Sequence, residues 1–303
     1  DFDELLLSEE KPFFNRALKG RYPPASSIKP AIAMYGIEEG LIDWNFSIFD
    51  EGFFTLPEDG RIYRDWKEGG HGDTNLFKAI TQSSNTYFFD LAYRSDINQL
   101  NKHLSSLGFG DKACIDCFEE DQVFVPEPSW KMNKHNFGWF KGDTVNMGVG
   151  QGYLVSTPIQ LAKYAYIMAN KGKFSDLSLK KDLVKSEKSI EFNKFSNDDW
   201  FKLHESMVNV IEGNTGTARR LRERKNYIVA AKTGTAELVS GDNREQYSET
   251  RLDDSLRDHA LIIAFGPMPN PRYAVSVVVE NGESGGSVAG PVAISVLNSL
   301  IQE

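Results

Sequence analysis

The chain of 303 residues is 40% hydrophobic and 12% aromatic, enough to bury a substantial core in one large domain or two subdomains. Its net charge is -9 and its pI near 5.2, with no dense Lys/Arg run, which argues against nucleic acid or an anionic membrane surface as the main partner. No stretch approaches the ~18 apolar residues of a membrane span. There is no charged-then-apolar leader, and the chain begins at Asp1 rather than Met, so a longer parent protein is expected.

Residues 1–20 are acidic and leucine-bearing but carry no clear periodicity. After Pro23 and Pro24, which cannot sit inside a helix, the run through Ile28, Ala31, Ile32, Met34, Tyr35 and Ile37 is apolar on nearly every side and stops at Gly40. That predicts a buried helix with Ser26 at its N-terminus. The spacing i, i+3 puts Lys29 on the same face as Ser26, within reach of its oxygen. Taken alone, a serine there reads as a helix cap.

From Leu41 to Asp73 the chain is turn-rich and aromatic, which predicts a long loop with short strands. Helical pattern resumes at Asn75, breaks at Gln82-Ser-Ser-Asn85, and restarts with Tyr87, Phe88, Leu91 and Ala92. Another amphipathic helix is expected over 96–109. The polar, proline-containing region that follows holds Cys114 and Cys117. A lone C-x-x-C without a second pair or a thioredoxin context is not a zinc or redox motif, so the two either close a small loop in an oxidising compartment or pack as thiols.

The glycine cluster Gly148-Val-Gly-Gln-Gly-Tyr153 lacks a phosphate-loop ending and reads as a tight turn. A capped helix runs from Ser156-Thr-Pro158 to Asn170, residues 171–197 look like solvated surface, and a further helix spans about 198–212. The period then changes to strands near 227–239, 259–267 and 272–280, the last two joined by a proline-rich hairpin. A helix near 291–301 closes the chain. Helices first and an antiparallel sheet last predict an α+β fold.

The first of these strands runs into Lys232-Thr233-Gly234-Thr235, so the chain carries Ser26-x-x-Lys29, Ser83-x-Asn85 and Lys232-Thr-Gly in that order. Each piece is weak alone, but the ordered triple is a known signature of penicillin-binding proteins and class A β-lactamases. The residue types suit acyl transfer. A serine needs a base within hydrogen-bond reach, and Lys29 serves only if neutral, which burial and a second cation, Lys232, favour.

Further segments resemble the elongation-type class B penicillin-binding proteins, the penicillin-binding protein 2 group. They are Tyr22-Pro-Pro-Ala-Ser-Ser-Ile-Lys-Pro, Tyr63-Arg-Asp-Trp-Lys with Gly70-His-Gly, Gly142-Asp-Thr144, the Gly148–Tyr153 turn with Thr157-Pro-Ile-Gln-Leu, and Arg257-Asp-His259. The likeness covers most of residues 12–303. It implies a single transpeptidase domain over 1–303, truncated at its N-terminus. A helical subdomain would occupy about 26–224 and a sheet subdomain about 1–25 and 225–303. Members have a five-stranded antiparallel sheet, so only its last three strands are expected here, with an open edge at 272–280.

The resemblance also implies roles. Ser26 would be the nucleophile and Lys29 the base, while Ser83 would relay a proton to the leaving nitrogen. Asn85 would hold Lys29 and a substrate amide. Lys232, Thr233, Gly234 and Thr235 would bind the substrate carboxylate and backbone, with an oxyanion hole from the N–H groups of Ser26 and Thr235. Such proteins cross-link peptidoglycan stem peptides on the periplasmic side of the inner membrane, are acylated by β-lactams, and work with a glycan polymerase.

No cofactor is required, but some members hold a structural zinc with two aspartates, a histidine and a cysteine. The matching positions are Asp50, Asp65, His71 and Ser84, so the thiolate is replaced by a hydroxyl. The preferred expectation is that the two aspartates organise the loop through hydrogen bonds to backbone N–H groups and to His71 or Arg64. Ala25 also departs from the group, standing where glycine is common, as does Asn85, where aspartate is frequent. Two other readings are a hydrolase, either carboxypeptidase or β-lactamase, and a non-catalytic β-lactam sensor. No convincing deacylating glutamate motif lies between Ser83 and Lys232, and the breadth of the resemblance disfavours a sensor.

Overall fold

The computed structural model describes residues 2–8, 10–181, 183, 186–238 and 256–302. Residues 1–20, patternless in sequence, supply two short helices, α1 (Phe2–Leu7) and α2 (Arg16–Lys19), the second leading into the Ser26 segment. Ser26 does not open an α-helix. It lies in one turn of tighter 3₁₀ helix, Ala25–Ile28, and α3 (Lys29–Glu38) begins at the lysine. Pro30 is tolerated because the first-turn N–H groups of a helix lack partners in any case. Every residue of α3 from Lys29 to Ile37 is buried, as its all-round apolar pattern predicts.

The aromatic loop folds into two small hairpins. β1 (Ser47–Asp50) pairs with β4 (Gly72–Asn75), and between them β2 (Phe53–Thr55) pairs with β3 (Ile62–Arg64). Asn75 then caps α4 (Leu76–Gln82), accepting the Lys78 N–H. After the Ser83-Ser84 break come α5 (Asn85–Arg94) and α6 (Ile97–Ser106), capped by Ser84 and Asp96. Two helices that the pattern does not announce follow, α7 (Pro128–His135) and α8 (Lys141–Gly148). Gly148 explains why α8 is hard to read. A Cβ there would meet the Cβ of Ala92 at 2.3 Å and the carbonyl of Phe88 at 2.9 Å, so close packing on α5 demands the glycine that weakens the helical signal.

Then come α9 (Pro158–Ala169), with Thr157 and Gln160 forming a capping box, and α10 (Asn197–Glu212), capped by Ser196. The segment between them is not wholly solvated. A two-residue pair, β5 (Lys173–Phe174) with β6 (Lys188–Ser189), is anchored by buried Phe195 and half-buried Phe174 and Phe192. Cys114 and Cys117 are disulfide-bonded, and Glu120 closes their loop by accepting the N–H groups of Ala113 and Cys114.

β7 (Ala230–Ala236), β8 (His259–Gly266) and β9 (Tyr273–Val279) form an antiparallel sheet in that order. β7 starts later than the alternation suggests. Its partner turns away after Gly266, so the Ile228 carbonyl accepts the Met268 N–H of the proline hairpin instead of joining the ladder. The expected continuation to 239 passes outside the described residues. Period-two alternation sorts β8 into two faces. Leu261, Ile263 and Phe265 join the core around α3, α5 and α9, whereas Ala260, Ile262 and Ala264 pack with Ala293, Ile294 and Leu297 of α11 (Gly290–Gln302).

Candidate active site

Each motif reaches the site from a different kind of element. Ser26 sits half-buried on the 3₁₀ turn, and Lys29, one turn on, is wholly buried. The turn is held from behind, because the Ala25 N–H donates to the Gly150 carbonyl at 2.8 Å. Gly150 packs so tightly there that a Cβ would lie 2.2 Å from the Ala25 carbonyl oxygen. The glycine cluster is thus a tight turn, and it braces the Ser26 turn. Ala25 has φ 49°, in the left-handed region, which gives a physical reason for glycine at this position in the resembled group.

Ser83 also has a left-handed backbone, φ 61°, and ends α4, while Asn85 begins α5. Lys29 Nζ donates to the Ser83 carbonyl at 2.9 Å, to Ser83 Oγ at 3.3 Å and to Asn85 Oδ1 at 2.6 Å. Lys232 Nζ donates to the same Ser83 Oγ at 2.7 Å. The amine of Lys29 therefore rests on the second motif, not on Ser26 as spacing alone suggests. Both lysines are fully buried. Burial pushes Lys29 down to about 7, against the pull of Asp65 and then Asp50. Lys232 is also lowered, first by burial and then by repulsion from Lys29.

β7 passes close to the Ser26 turn. A Cβ on Gly234 would lie 3.3 Å from the Pro24 carbonyl and the Ser27 N–H, so the glycine serves that approach directly. Thr233 Oγ1 is tied to Thr217 Oγ1 at 2.7 Å, and Gln151 Nε2 donates to the Thr235 carbonyl at 3.2 Å. Thr235 is exposed on the strand.

Residues 2–298 match the family described as penicillin binding protein transpeptidase domain. The chain belongs to the penicillin-binding transpeptidases. It is 37% identical to the peptidoglycan D,D-transpeptidase MrdA of Haemophilus influenzae, covering 100% of this chain and 48% of that protein. It superposes on PBP2 of Pseudomonas aeruginosa in complex with WCK 5153 with a TM-score of 0.89 at 35% identity, over 100% of this chain and 66% of that one. Against Helicobacter pylori PBP2 in its complex with MreC the TM-score is 0.85 at 30% identity, over 99% of this chain and 54% of that one. The chain spans about half the length of the curated relatives it matches.

Thr217, Gln151 and Gly150 contact the candidate site at positions that the three motifs do not name. The adjoining sequences Gly216-Thr-Ala218 and Gly150-Gln-Gly152 are the signal, but nothing local says that they meet β7 and the Ser26 turn.

The residues matched to zinc ligands in some transpeptidases of this kind also converge. Asp50, Asp65 and His71 bring ligand atoms within 4.8 Å of one another, and all are buried. The fourth position does not fit a closed zinc site. Ser84 Oγ donates to Asp50 Oδ2 at 2.7 Å, a neutral hydroxyl where structural zinc takes a thiolate or imidazole. Asp65 Oδ2 accepts the N–H groups of Asn85 at 2.5 Å and Thr86 at 2.9 Å, and Asp65 Oδ1 accepts that of Lys67 at 3.1 Å. Burial favours the protonated acid, but the hydrogen bond from His71, the charge of Lys29 and these N–H donors hold Asp65 well below the usual carboxylate range.

Proposed function

We propose that this chain is the acyl-transfer domain of a peptidoglycan D,D-transpeptidase of the elongation type, acylated on Ser26 by D-Ala-D-Ala stem peptides and by β-lactams. The observation that carries this reading is the convergence of Lys29 and Lys232 on Ser83 Oγ beside an accessible Ser26. Neutral Lys29 turns its lone pair to accept the Ser26 O–H when substrate binds, as catalytic hydrogen bonds often tighten only in the complex. Ser26 Oγ attacks the carbonyl between the two D-alanines, and its proton passes to Lys29. The C–N bond breaks, and Ser83 hands a proton to the departing amine, replenished from the lysines. An acceptor amine then attacks the ester, loses a proton to the same relay and restores Ser26.

Lys232 as ammonium, with Thr233 and Thr235, holds the terminal carboxylate, and the N–H groups of Ser26 and Thr235 face the developing oxyanion. Asn85 presents a neutral amide to Lys29, so it adds no charge that would favour the ammonium. Acyl transfer by these groups needs no cofactor, and a structural zinc at Asp50, Asp65 and His71 is not part of it.

The disulfide supports an oxidising compartment, in keeping with the periplasmic face of the bacterial inner membrane. Stem peptides are the substrate partners. The H. pylori relative solved with MreC, and a structural neighbour in a peptidoglycan synthase complex, support an elongation assembly with a glycan polymerase as the setting. Nucleic acid has no part in it. The experiment that separates this reading from a hydrolase or a sensor follows the acyl-enzyme formed from a thioester substrate. Transfer to an added D-amino acid amine supports the transpeptidase. Rapid hydrolysis without transfer identifies a carboxypeptidase or β-lactamase, and persistence without either identifies a sensor.

A further inference from the structure

The loop carrying β1 to β4 grips the second motif from outside. Asp65 caps the start of α5 through the N–H groups of Asn85 and Thr86. Trp66 Nε1 donates to the Ser83 carbonyl at 3.1 Å, the same oxygen that Lys29 uses. Ser84 Oγ donates to Asp50 at 2.7 Å and accepts the Tyr87 N–H at 3.2 Å. His71 stands between Asp65 Oδ1 at 3.3 Å and Gln82 Oε1 at 3.0 Å, bridging the loop to the last residue of α4. Asp50 Oδ1 is taken by the Gly52 N–H at 2.8 Å. The carboxylates and the hydroxyl thus have hydrogen-bond partners within the loop and the second motif, and the imidazole donates to one of the two oxygens it faces, according to its tautomer. Every one of them is engaged with backbone or side chains that fix the turn bearing Ser83 and Asn85.

We infer that this cluster is a metal-free latch, in which Ser84 ties Asp50 to the second motif, and that Ser84 and Asp65 are positioning residues for Ser83 and Asn85. The two departures from the resembled group support each other. A zinc ion carries two positive charges, and a thiolate and an aspartate carry one negative charge each. Losing all three in favour of no metal, a hydroxyl at 84 and an amide at 85 leaves the local charge beside Lys29 unchanged.

The kinetic part of the test rests on the acyl-transfer reading, whereas the metal analysis stands without it. The full chain is purified without chelator or His-tag from zinc-replete medium, and its zinc content and rate constant for acylation by benzylpenicillin are measured. The expected wild type carries no stoichiometric zinc, and EDTA leaves its acylation unchanged. Ser84→Cys supplies the missing thiolate and is expected to capture zinc in stoichiometric amount, lost again on adding His71→Ala. Ser84→Ala is expected to slow the acylation step about tenfold while leaving the dissociation constant of the non-covalent drug complex nearly unchanged, as for a misplaced catalytic group. It should also speed hydrogen exchange at the Asn85 and Thr86 amides. Stoichiometric zinc in the wild type, or slowing by EDTA, overturns the metal-free latch. Unchanged acylation in Ser84→Ala overturns the positioning role. If Ser84→Ala does not fold, Asp65→Asn with the same rate and exchange measurements takes its place. Failure of the wild type to be acylated at all contradicts the acyl-transfer reading instead.

Discussion

Lys29 and Lys232, from a helix start and a strand, place their side-chain nitrogens on one atom, Ser83 Oγ, at 3.3 and 2.7 Å. Two ammonium groups so placed in a fully buried site repel strongly, so one of the pair gives up its proton. Neutral Asn85 lies on Lys29, and the strand lysine lies beside Thr233, whose carbonyl accepts from it at 3.1 Å. The division of labour we propose is an amine base at Lys29 and an ammonium at Lys232 for the substrate carboxylate.

A pH dependence follows from that division. Burial brings Lys29 down to about 7, so its base form grows as pH rises through that value. The rate constant for acylation by benzylpenicillin should rise with pH and level off above it. The same shift bears on stability. Below 7 the lysine is charged in both states, and between 7 and its ordinary value of 10.5 the unfolded chain holds the extra proton. Its contribution to stability therefore increases with pH across that window. A flat acylation profile from pH 5.5 to 8.5 would contradict the assignment of Lys29 as base.

Lys29→Ala should fold and still bind drug non-covalently, but should lose about a hundredfold or more in acylation rate, the usual worth of general-base catalysis. Stopped-flow competition with a fluorescent penicillin checks this. A loss confined to non-covalent binding would point to a carboxylate-binding role instead.

Gly234→Ala adds a methyl 3.3 Å from the Pro24 carbonyl and the Ser27 N–H, both backbone atoms of the Ser26 turn. The strand and the turn must part by a few tenths of an ångström. The expected outcome is acylation slowed by about tenfold or more with a fold that survives, since small displacements near a reacting centre are costly. Thermal melting and acylation kinetics measured together check it, and an unaffected rate would show that the close approach is only packing.

β9 pairs with β8 alone, and among the described residues no strand covers its other edge. A valine-rich free edge invites association. Sedimentation velocity should show concentration-dependent self-association, and alternate amides of β9 should exchange quickly. A monomer at all concentrations with a fully protected β9 would contradict this.

What could be read from the sequence was what repeats or punctuates. The all-round apolar run after Ser26, the Ser/Thr cap before Pro158, and the alternation of β8 and β9 each express a local rule, and the structure follows them. The ordered motifs were legible because their residue types are tied to chemistry. The missing pieces are those whose cause is distant. α8 is hidden by Gly148, which α5 requires, and β7 begins late because β8 turns off at a proline hairpin. Lys29 rests on Ser83 rather than Ser26 because α4 ends beside it, a contact that no spacing within the first motif can show. Thr217 and Gln151 meet β7 only through the tertiary fold.

The central claim is that Ser26 is the nucleophile, and intact mass spectrometry after incubation with benzylpenicillin tests it most directly. The account predicts a stoichiometric adduct of the drug's mass that maps to the peptide containing Ser26, persists in Ser27→Ala and is absent in Ser26→Ala. Labelling that survives in Ser26→Ala would contradict it.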